Sequence, residues 1–163
     1  MMHQEFDSAG TSVNQIASIY KLKNIFKKED RVLDYGGGKY DTATEFMAKK
    51  GVSVQVYDPF NRTPEHNRMV LKRFMNKAPD VIVCANVLNV IKEPEIIVDI
   101  VQNIKRLAGR NTKVLISVYE RDKTGIGVRT DKGWQRNERA EEYGKFILPY
   151  FTFAFRKGNV WYC

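Results

Sequence analysis

The segment VLDYGGGKYDTATEFMAKKG (residues 32–51) decides the fold class of this chain. A short apolar run ends at Asp34 and Tyr35, three glycines follow, and a helical pattern begins near Thr42. Glycines in such a turn let a ligand approach the backbone without meeting a Cβ atom, and the next helix directs its amino end at the same place. The segment therefore predicts a strand, a ligand-binding turn and a helix.

Strand and helix patterns alternate along the rest of the chain. The runs typical of strands are RVLDY, VSVQVYD, DVIVCA and TKVLISVY, which begin at residues 31, 52, 80 and 112. Helical patterns cover about 42–50, 64–78, 93–107 and 138–148. This order predicts an α/β fold with a doubly wound, mostly parallel sheet and helices on both faces. The segment FTFAFRKGNVWYC (151–163) predicts a C-terminal antiparallel hairpin.

Length and composition predict one domain over residues 1–163. The hydrophobic content of 43% is typical of a globular chain, and a helical stripe over residues 12–28 predicts an N-terminal helix that caps the domain. The amino terminus shows neither a basic nor an apolar signal-peptide region, and every apolar run is well short of the roughly 20 residues of a membrane span. We therefore expect a cytoplasmic protein without membrane contact.

The net charge and the cysteine content limit which ligands and partners are expected. The formal charge of +8 favours polyanions, of which nucleic acid is the usual one. The two cysteines, Cys84 and Cys163, are too few and too far apart for a zinc site or a disulfide scaffold, so we predict no metal. Cys84 lies inside an apolar run and is interpreted as a core residue rather than a nucleophile.

The acidic residues around the glycines indicate which nucleoside would bind. Asp58 ends the second predicted strand 22 positions after Gly36, the distance typical of a carboxylate that binds ribose hydroxyls. Asp41 stands where a dinucleotide motif has its third glycine, and Asp34 would place a negative charge near a pyrophosphate. S-adenosylmethionine has an ammonium, a sulfonium and a ribose diol, so it suits these carboxylates better than a dinucleotide does.

These segments, with DVIVCANVLNVI (80–91) and KVLISVY (113–119), resemble the class I S-adenosylmethionine-dependent methyltransferases over roughly residues 30 to 120. The resemblance implies that the methionine part binds Asp34, Gly36 and Gly38, and the ribose binds Asp58. It also implies Phe60 against adenine and Asn86 near the methyl group. Tyr35 and Ala85 belong to the same predicted sheet edge and complete the expected cofactor site.

One departure from the family concerns its third strand. Only 21 residues separate Asp58 from Asp80, so that strand must be very short or missing. The family's usual polar contact to adenine follows this strand and is therefore unassigned here.

The loop from Glu120 to Asn137, within VYERDKTGIGVRTDKGWQRN (118–137), is the predicted substrate-facing segment. Its basic side chains beside an aromatic suit a flipped or single-stranded base, and the loop resembles methyltransferase-like proteins of phages and DNA-modification neighbourhoods. The alternative is a solvated lid whose tryptophan packs onto the body. The candidate substrate residues are Arg121, Arg129, Trp134 and Arg136, and the candidate catalytic residues are Tyr119 and Glu120, as general base or hydrogen-bond acceptor.

The leading hypothesis is a methyltransferase that uses S-adenosylmethionine, with nucleic acid slightly favoured as acceptor through residues 120–137. Because ANVL (85–88) replaces the (D/N/S)-P-P-(Y/F) motif, methylation of exocyclic amino groups of DNA is disfavoured. The alternatives are an enzyme that cleaves the cofactor, a non-catalytic regulator that binds it, and a nicotinamide-dependent reductase. With little chain beyond the core, a homodimer or a partner chain is also a hypothesis.

Overall fold

The computed structural model describes residues 3–163, so the first two residues of the predicted domain lie outside the described part. Its strands are β1 (Arg31–Tyr35), β2 (Ser53–Tyr57), β3 (Val81–Ala85), β4 (Lys113–Ser117), β5 (Val128–Thr130), β6 (Gly133–Gln135), β7 (Phe155–Lys157) and β8 (Val160–Tyr162). Six of them form one sheet in the order β2-β1-β3-β4-β8-β7, while β5 and β6 form a separate hairpin. Strands β1 to β4 are parallel, and β8 and β7 are antiparallel. The predicted doubly wound sheet with a C-terminal antiparallel hairpin is confirmed.

Two apolar layers cover the sheet. The α-helices are α1 (Thr42–Ala48), α2 (Pro64–Arg73), α3 (Pro94–Leu107) and α4 (Gly144–Ile147). Helix α1 and the N-terminal segment (residues 3–20) pack on one face, and the other three helices pack on the opposite face. Strand β3 reads as an unbroken apolar run because both of its faces are buried. None of the helices in residues 3–163 is long and apolar enough to cross a membrane.

The family's third strand is missing, as the short spacing had suggested. The chain leaves β2, forms α2 on the α3 face and returns directly to β3, so β2 is an edge strand of the sheet. Arg31 fastens this short return. Its guanidinium donates hydrogen bonds to the carbonyls of Arg73 (2.7 Å), Lys77 (3.1 Å) and Ala78 (3.4 Å), and lies over the Phe74 ring.

The predicted N-terminal helix over residues 12–28 is wrong. Between residues 12 and 28 the chain has one 3-10 turn, Ser18–Lys21, and is otherwise irregular; another 3-10 turn, Ser8–Thr11, precedes this range. Asn24 adopts a φ angle of 63°, which a continuous right-handed helix excludes. The apolar stripe instead reflects Ile19 and Tyr20, which are buried against the sheet.

Two smaller differences concern the C-terminal half. The predicted long loop 120–137 contains the β5–β6 hairpin, and the predicted helix 138–148 is a 3-10 turn (Ala140–Tyr143) followed by the single turn α4. The hairpin is held by the aromatic pair of Phe6 and Trp134, whose ring centroids are 5.3 Å apart. Because these two residues are far apart in the sequence, no local hydrophobic pattern predicts their contact.

Arg31→Lys should lower the free energy of unfolding by about 1–2 kcal/mol, because lysine keeps the charge but cannot reach three carbonyls at once. The matched variant is Arg110→Lys, at an exposed position. Urea unfolding of both variants measures the difference. Equal midpoints for the two would contradict the fastening role of Arg31.

Candidate cofactor and active site

A pocket of about 840 Å³ lies at the carboxyl ends of β1, β2 and β3. Its walls are the glycine turn (36–38), residues 57–61 after β2, residues 85–87 after β3, part of α3 and the N-terminal segment, residues 3–20. Doubly wound sheets bind ligands at this edge, where successive crossovers leave in opposite directions. The volume falls within the range of about 300–1,000 Å³ typical of small-molecule sites.

The glycine turn has no room for larger residues. Gly36 and Gly38 have φ angles of 81° and 85°, in the left-handed region that favours glycine. A Cβ atom on Gly37 would lie 2.6–2.9 Å from the carboxyl atoms of Asp34, and one on Gly36 would lie 2.6 Å from a methyl of Val87. The turn therefore packs directly against Asp34 and the loop after β3.

Asp58 fixes this turn from the neighbouring strand. Its Oδ2 accepts hydrogen bonds from the Gly38 N–H (2.8 Å) and the Asn61 side chain (3.1 Å). Its Oδ1 accepts from the N–H groups of Phe60 (2.9 Å) and Asn61 (3.1 Å). The Asp58 carboxylate lines the pocket, but its oxygens already accept four hydrogen bonds from the protein. Its first role is therefore to position the turn. The predicted ribose contact of Asp58 stays a prediction.

Asp34 and Tyr20 form the polar floor of the pocket. Asp34 is 5% exposed and forms no ion pair within residues 3–163. Burial raises the pKa of Asp34 to about 6, a rise that the Tyr20 hydroxyl and Arg62 oppose and the charge of Asp58 reinforces. The buried Tyr20 hydroxyl faces this carboxyl, although it makes no hydrogen bond of ordinary length and angle to any described residue. A cationic ligand would stabilise this buried carboxylate.

The pocket is acidic although the chain is basic. Its described lining residues include three carboxylates, from Asp34, Asp58 and Asp99, and no lysine or arginine. The formal charge of the whole chain is nevertheless +8. Such a site attracts a cationic ligand and repels polyphosphates.

The structure brings the predicted cofactor residues together. All eight of them line the pocket: Asp34, Tyr35, Gly36, Gly38, Asp58, Phe60, Ala85 and Asn86. Phe60 is 45% exposed at the rim, with its ring available to a ligand. Asn86 has a φ angle of 58°, and its N–H donates to the Ser117 carbonyl. Their individual contacts to the cofactor stay predictions.

The predicted catalytic residues lie outside the pocket lining. The Glu120 carboxylate accepts a hydrogen bond from the Ala140 N–H (2.9 Å) and holds the start of the C-terminal 3-10 turn. Tyr119 is half exposed, and its N–H donates to the Asn89 side chain. Catalytic roles for both stay predictions, and the structure does not bring them to the cofactor residues.

The predicted substrate residues of the loop 120–137 make contacts within the fold. Arg136 donates to Glu138 and to the carbonyls of Ile91 and Lys92, while Trp134 stacks on Phe6. The Arg121 guanidinium lies 3.4 Å from the Asn137 side chain, and Arg129 lies over the Phe6 ring. These contacts are what the lid alternative requires, and a substrate role for the loop stays a prediction.

The sequence predicted that the N-terminal segment caps the domain, but it did not identify this segment as a wall of the site. The Ser12 hydroxyl accepts the Lys39 N–H (3.1 Å), and the Asn14 side chain pairs with the Thr42 hydroxyl, so the segment lies along the glycine turn. The sequence carries no local signal for this role, because polar residues such as Ser12, Asn14 and Gln15 beside an apolar stripe are equally typical of an amphipathic helix.

Comparisons with known proteins agree with this geometry. The family model described as "Methyltransferase domain" matches residues 3–159. Because this match covers nearly the whole chain, the protein belongs to the methyltransferase domain family. No curated protein sequence matches the chain.

Solved methyltransferases show the same fold at low identity. A TehB-like SAM-dependent methyltransferase from Corynebacterium glutamicum is 17% identical, with a TM-score of 0.50 over 91% of this chain and 86% of that one. The mitomycin 7-O-methyltransferase MmcR is 13% identical, with a TM-score of 0.54 over 95% of this chain and 51% of that one. An O-methyltransferase family 2 protein from Planctomyces limnophilus, in complex with apigenin, is 12% identical, with a TM-score of 0.50 over 95% and 54%. The chain thus spans about half the length of the last two.

The protein is therefore a methyltransferase-family domain, and S-adenosylmethionine is the cofactor that we expect in its pocket. The pocket fits this cofactor by its own chemistry: a buried unpaired carboxylate for the cationic end, a Tyr20 hydroxyl without an ordinary hydrogen bond, and a glycine turn that a side chain would fill. We expect Asp34, Tyr20 and the turn to hold the methionine part, and Phe60 to contact the base.

Binding of S-adenosylhomocysteine should weaken about tenfold between pH 7.5 and pH 5, because only about a tenth of Asp34 with a pKa of about 6 is ionised at pH 5. Titration calorimetry at several pH values measures this. Asp34→Asn should bind weakly with a flat pH profile, and Asp131→Asn, on the exposed hairpin turn, should behave like the unmodified protein. An equal pH dependence in Asp34→Asn would contradict the role of this carboxylate.

Gly37→Ala should weaken S-adenosylhomocysteine binding by at least tenfold, because the new methyl would displace the Asp34 carboxylate. The matched control is Gly109→Ala, where the added methyl would meet Ala78 at 2.7 Å, away from the pocket. This control should lose stability but keep its affinity. Calorimetry combined with urea unfolding separates the two effects, and unchanged affinity in Gly37→Ala would refute the packing argument.

Proposed function

We propose that the protein transfers the methyl group of S-adenosylmethionine to a small, uncharged or cationic acceptor that enters the pocket. The observation that carries this proposal is the charge of the lining, which has three carboxylates and no lysine or arginine among the described residues. A phosphate backbone that reached this pocket would meet only negative charges, whereas an amine or a neutral hydroxyl compound would not be repelled.

The shape of the pocket supports an acceptor of small size. Besides the predicted cofactor residues, an aliphatic wall lines it, formed by Val87, Val90, Ile91, Ile96 and Ile100. The N-terminal segment forms the facing wall and is held at several points, among them the glycine turn through Ser12 and the β5–β6 hairpin through Phe6. Apolar walls with few polar groups are typical of small-molecule sites.

Methyl transfer requires no covalent intermediate with the protein. When bound, S-adenosylmethionine would supply a methyl group activated by its sulfonium; transfer to an acceptor lone pair would release S-adenosylhomocysteine, and the proton of a hydroxyl or ammonium acceptor would pass to solvent. The chain's own residues provide position: Asp58 fixes the glycine turn, Asp34 offers a negative charge, and the aliphatic wall excludes water from the acceptor. Orientation of two reactants in this way accounts for much of the rate in enzyme-catalysed displacements.

A transfer assay with S-adenosylmethionine labelled on its methyl group tests the proposal. The acceptor panel contains small amines, phenols, carboxylates, duplex DNA and single-stranded RNA, and the control enzyme is Asp34→Ala. Label in an amine or phenol, at least tenfold above the control enzyme, is the expected result.

The other outcomes each overturn the proposal in a different way. Label in DNA or RNA would restore the nucleic-acid acceptor, which the loop 120–137 and the phage-like resemblance favour. Label in a small fragment without any acceptor would indicate cofactor cleavage, and tight binding with no transfer to the panel would indicate a regulator.

A further inference from the structure

The end of the sheet opposite the pocket is a continuous surface, which we name the basic pole: residues 22–31, 49–51, 72–80 and 105–113. These segments precede β1, β2, β3 and β4 and therefore meet at the amino ends of the parallel strands. Hydrogen bonds join them: the Glu29 N–H donates to the Gly51 carbonyl (2.7 Å), and the Lys113 N–H donates to the Asp80 carbonyl (3.0 Å). The Asp80 N–H in turn donates to the Arg31 carbonyl (2.8 Å), which links the two pairs of segments. The basic pole is thus one surface rather than four separate loops.

Charge is concentrated at the basic pole. Its segments contain 13 of the 27 lysines and arginines but only 3 of the 19 acidic residues, Glu29, Asp30 and Asp80. The rest of the chain has 14 basic and 16 acidic residues and is slightly negative. The whole positive excess of the protein therefore lies at the end away from the pocket.

The cations of the basic pole are exposed and free of ion pairs. Apart from Arg31, which fastens the return to β3, twelve are exposed: Lys23, Lys27, Lys28, Lys49, Lys50, Lys72, Arg73, Lys77, Lys105, Arg106, Arg110 and Lys113. None of them forms a salt bridge within residues 3–163. Six follow or end helices α1, α2 and α3, where the helix dipole favours cations. The other six lie outside those helix ends, and the dipole does not explain them.

From this arrangement we infer that the basic pole binds the phosphate backbone of double-stranded nucleic acid, without reading its sequence. Duplex backbones are bound mainly by distributed lysine and arginine side chains. A single strand also needs exposed aromatic side chains for stacking, and the aromatic residues of the pole, Phe26 and Phe74, are not exposed. Stable membrane binding usually adds inserted apolar side chains to the attraction of anionic lipids, and Met75 is the one large apolar side chain exposed on the pole.

This binding is independent of the methyl acceptor. The parallel strands of five residues separate the pole from the pocket by roughly 16 Å, with loops added at both ends. A stiff duplex seated on the pole would face away from the pocket opening. The inference therefore describes where the enzyme is held, and the acidic pocket would remain open to its own acceptor.

Fluorescence anisotropy with labelled random-sequence duplexes of roughly 20 base pairs, between about 50 and 200 mM salt, tests the inference. The variant Lys49→Gln, Lys77→Gln, Arg110→Gln removes one exposed cation from each of three pole segments. The matched control Lys123→Gln, Arg129→Gln, Lys132→Gln removes the same charge from the loop 120–137. We expect the pole variant to bind at least tenfold more weakly, with a salt slope reduced by about 3, while the control changes little.

Several results would overturn the inference. An equal loss in both variants would show attraction to net charge alone, and preferred binding of anionic vesicles or of single strands would identify another partner. Duplex DNA and duplex RNA are run in parallel, and binding of either supports the inference. S-adenosylhomocysteine affinity, measured on the same samples, should be unchanged in the pole variant, so failure here is distinguishable from failure of the methyltransferase site.

Discussion

The hydrogen bond from the Gly38 N–H to the Asp58 carboxylate, 2.8 Å long, is the contact on which the site depends. It joins the turn after β1 to the end of β2 and thereby sets the distance between the two halves of the pocket. Arg62 reinforces it, because its Nε donates to the Gly38 carbonyl at 2.8 Å. The Asn67 side-chain amide in turn holds the Asp58 backbone: its oxygen accepts the Asp58 N–H, and its nitrogen donates to the Asp58 carbonyl. The turn is thus positioned before any ligand arrives.

The second organising constraint is the separation of charge between the two ends of the sheet. Parallel strands place all of their carboxyl ends at one edge and all of their amino ends at the other, so a charge bias in the connecting loops becomes a bias between the two ends of the molecule. The pocket end has carboxylates in its lining, and the opposite end has nearly half of the cations. A cationic cofactor is therefore drawn to one end and polyanions to the other.

The sequence was sufficient for the parts of the fold that depend on local pattern. Strands β1 to β4, the glycine turn and the missing third strand follow from apolar runs, glycines and spacing, and the eight cofactor residues share one pocket. The N-terminal segment was not predictable in the same way. Its amphipathic stripe has the period of a helix, whereas its conformation is set by Ser12, Asn14 and Phe6 contacting distant residues. The stacking partner of Trp134 was not predictable for the same reason, since Phe6 lies more than a hundred positions away.

The buried Asp34 makes the binding site a source of instability in the ligand-free protein. Because its pKa is raised from 3.8 to about 6, the native state holds the proton more tightly than the unfolded chain does. The resulting loss of stability is absent below about pH 4, grows as the pH rises towards 6 and is complete above it, where it reaches on the order of 3 kcal/mol. A fold of this size has only about 5–15 kcal/mol to lose. The Asp34 carboxylate thus lowers the stability of the ligand-free fold but favours ligand recognition. A cationic ligand that binds beside it restores the stability that its ionisation removes.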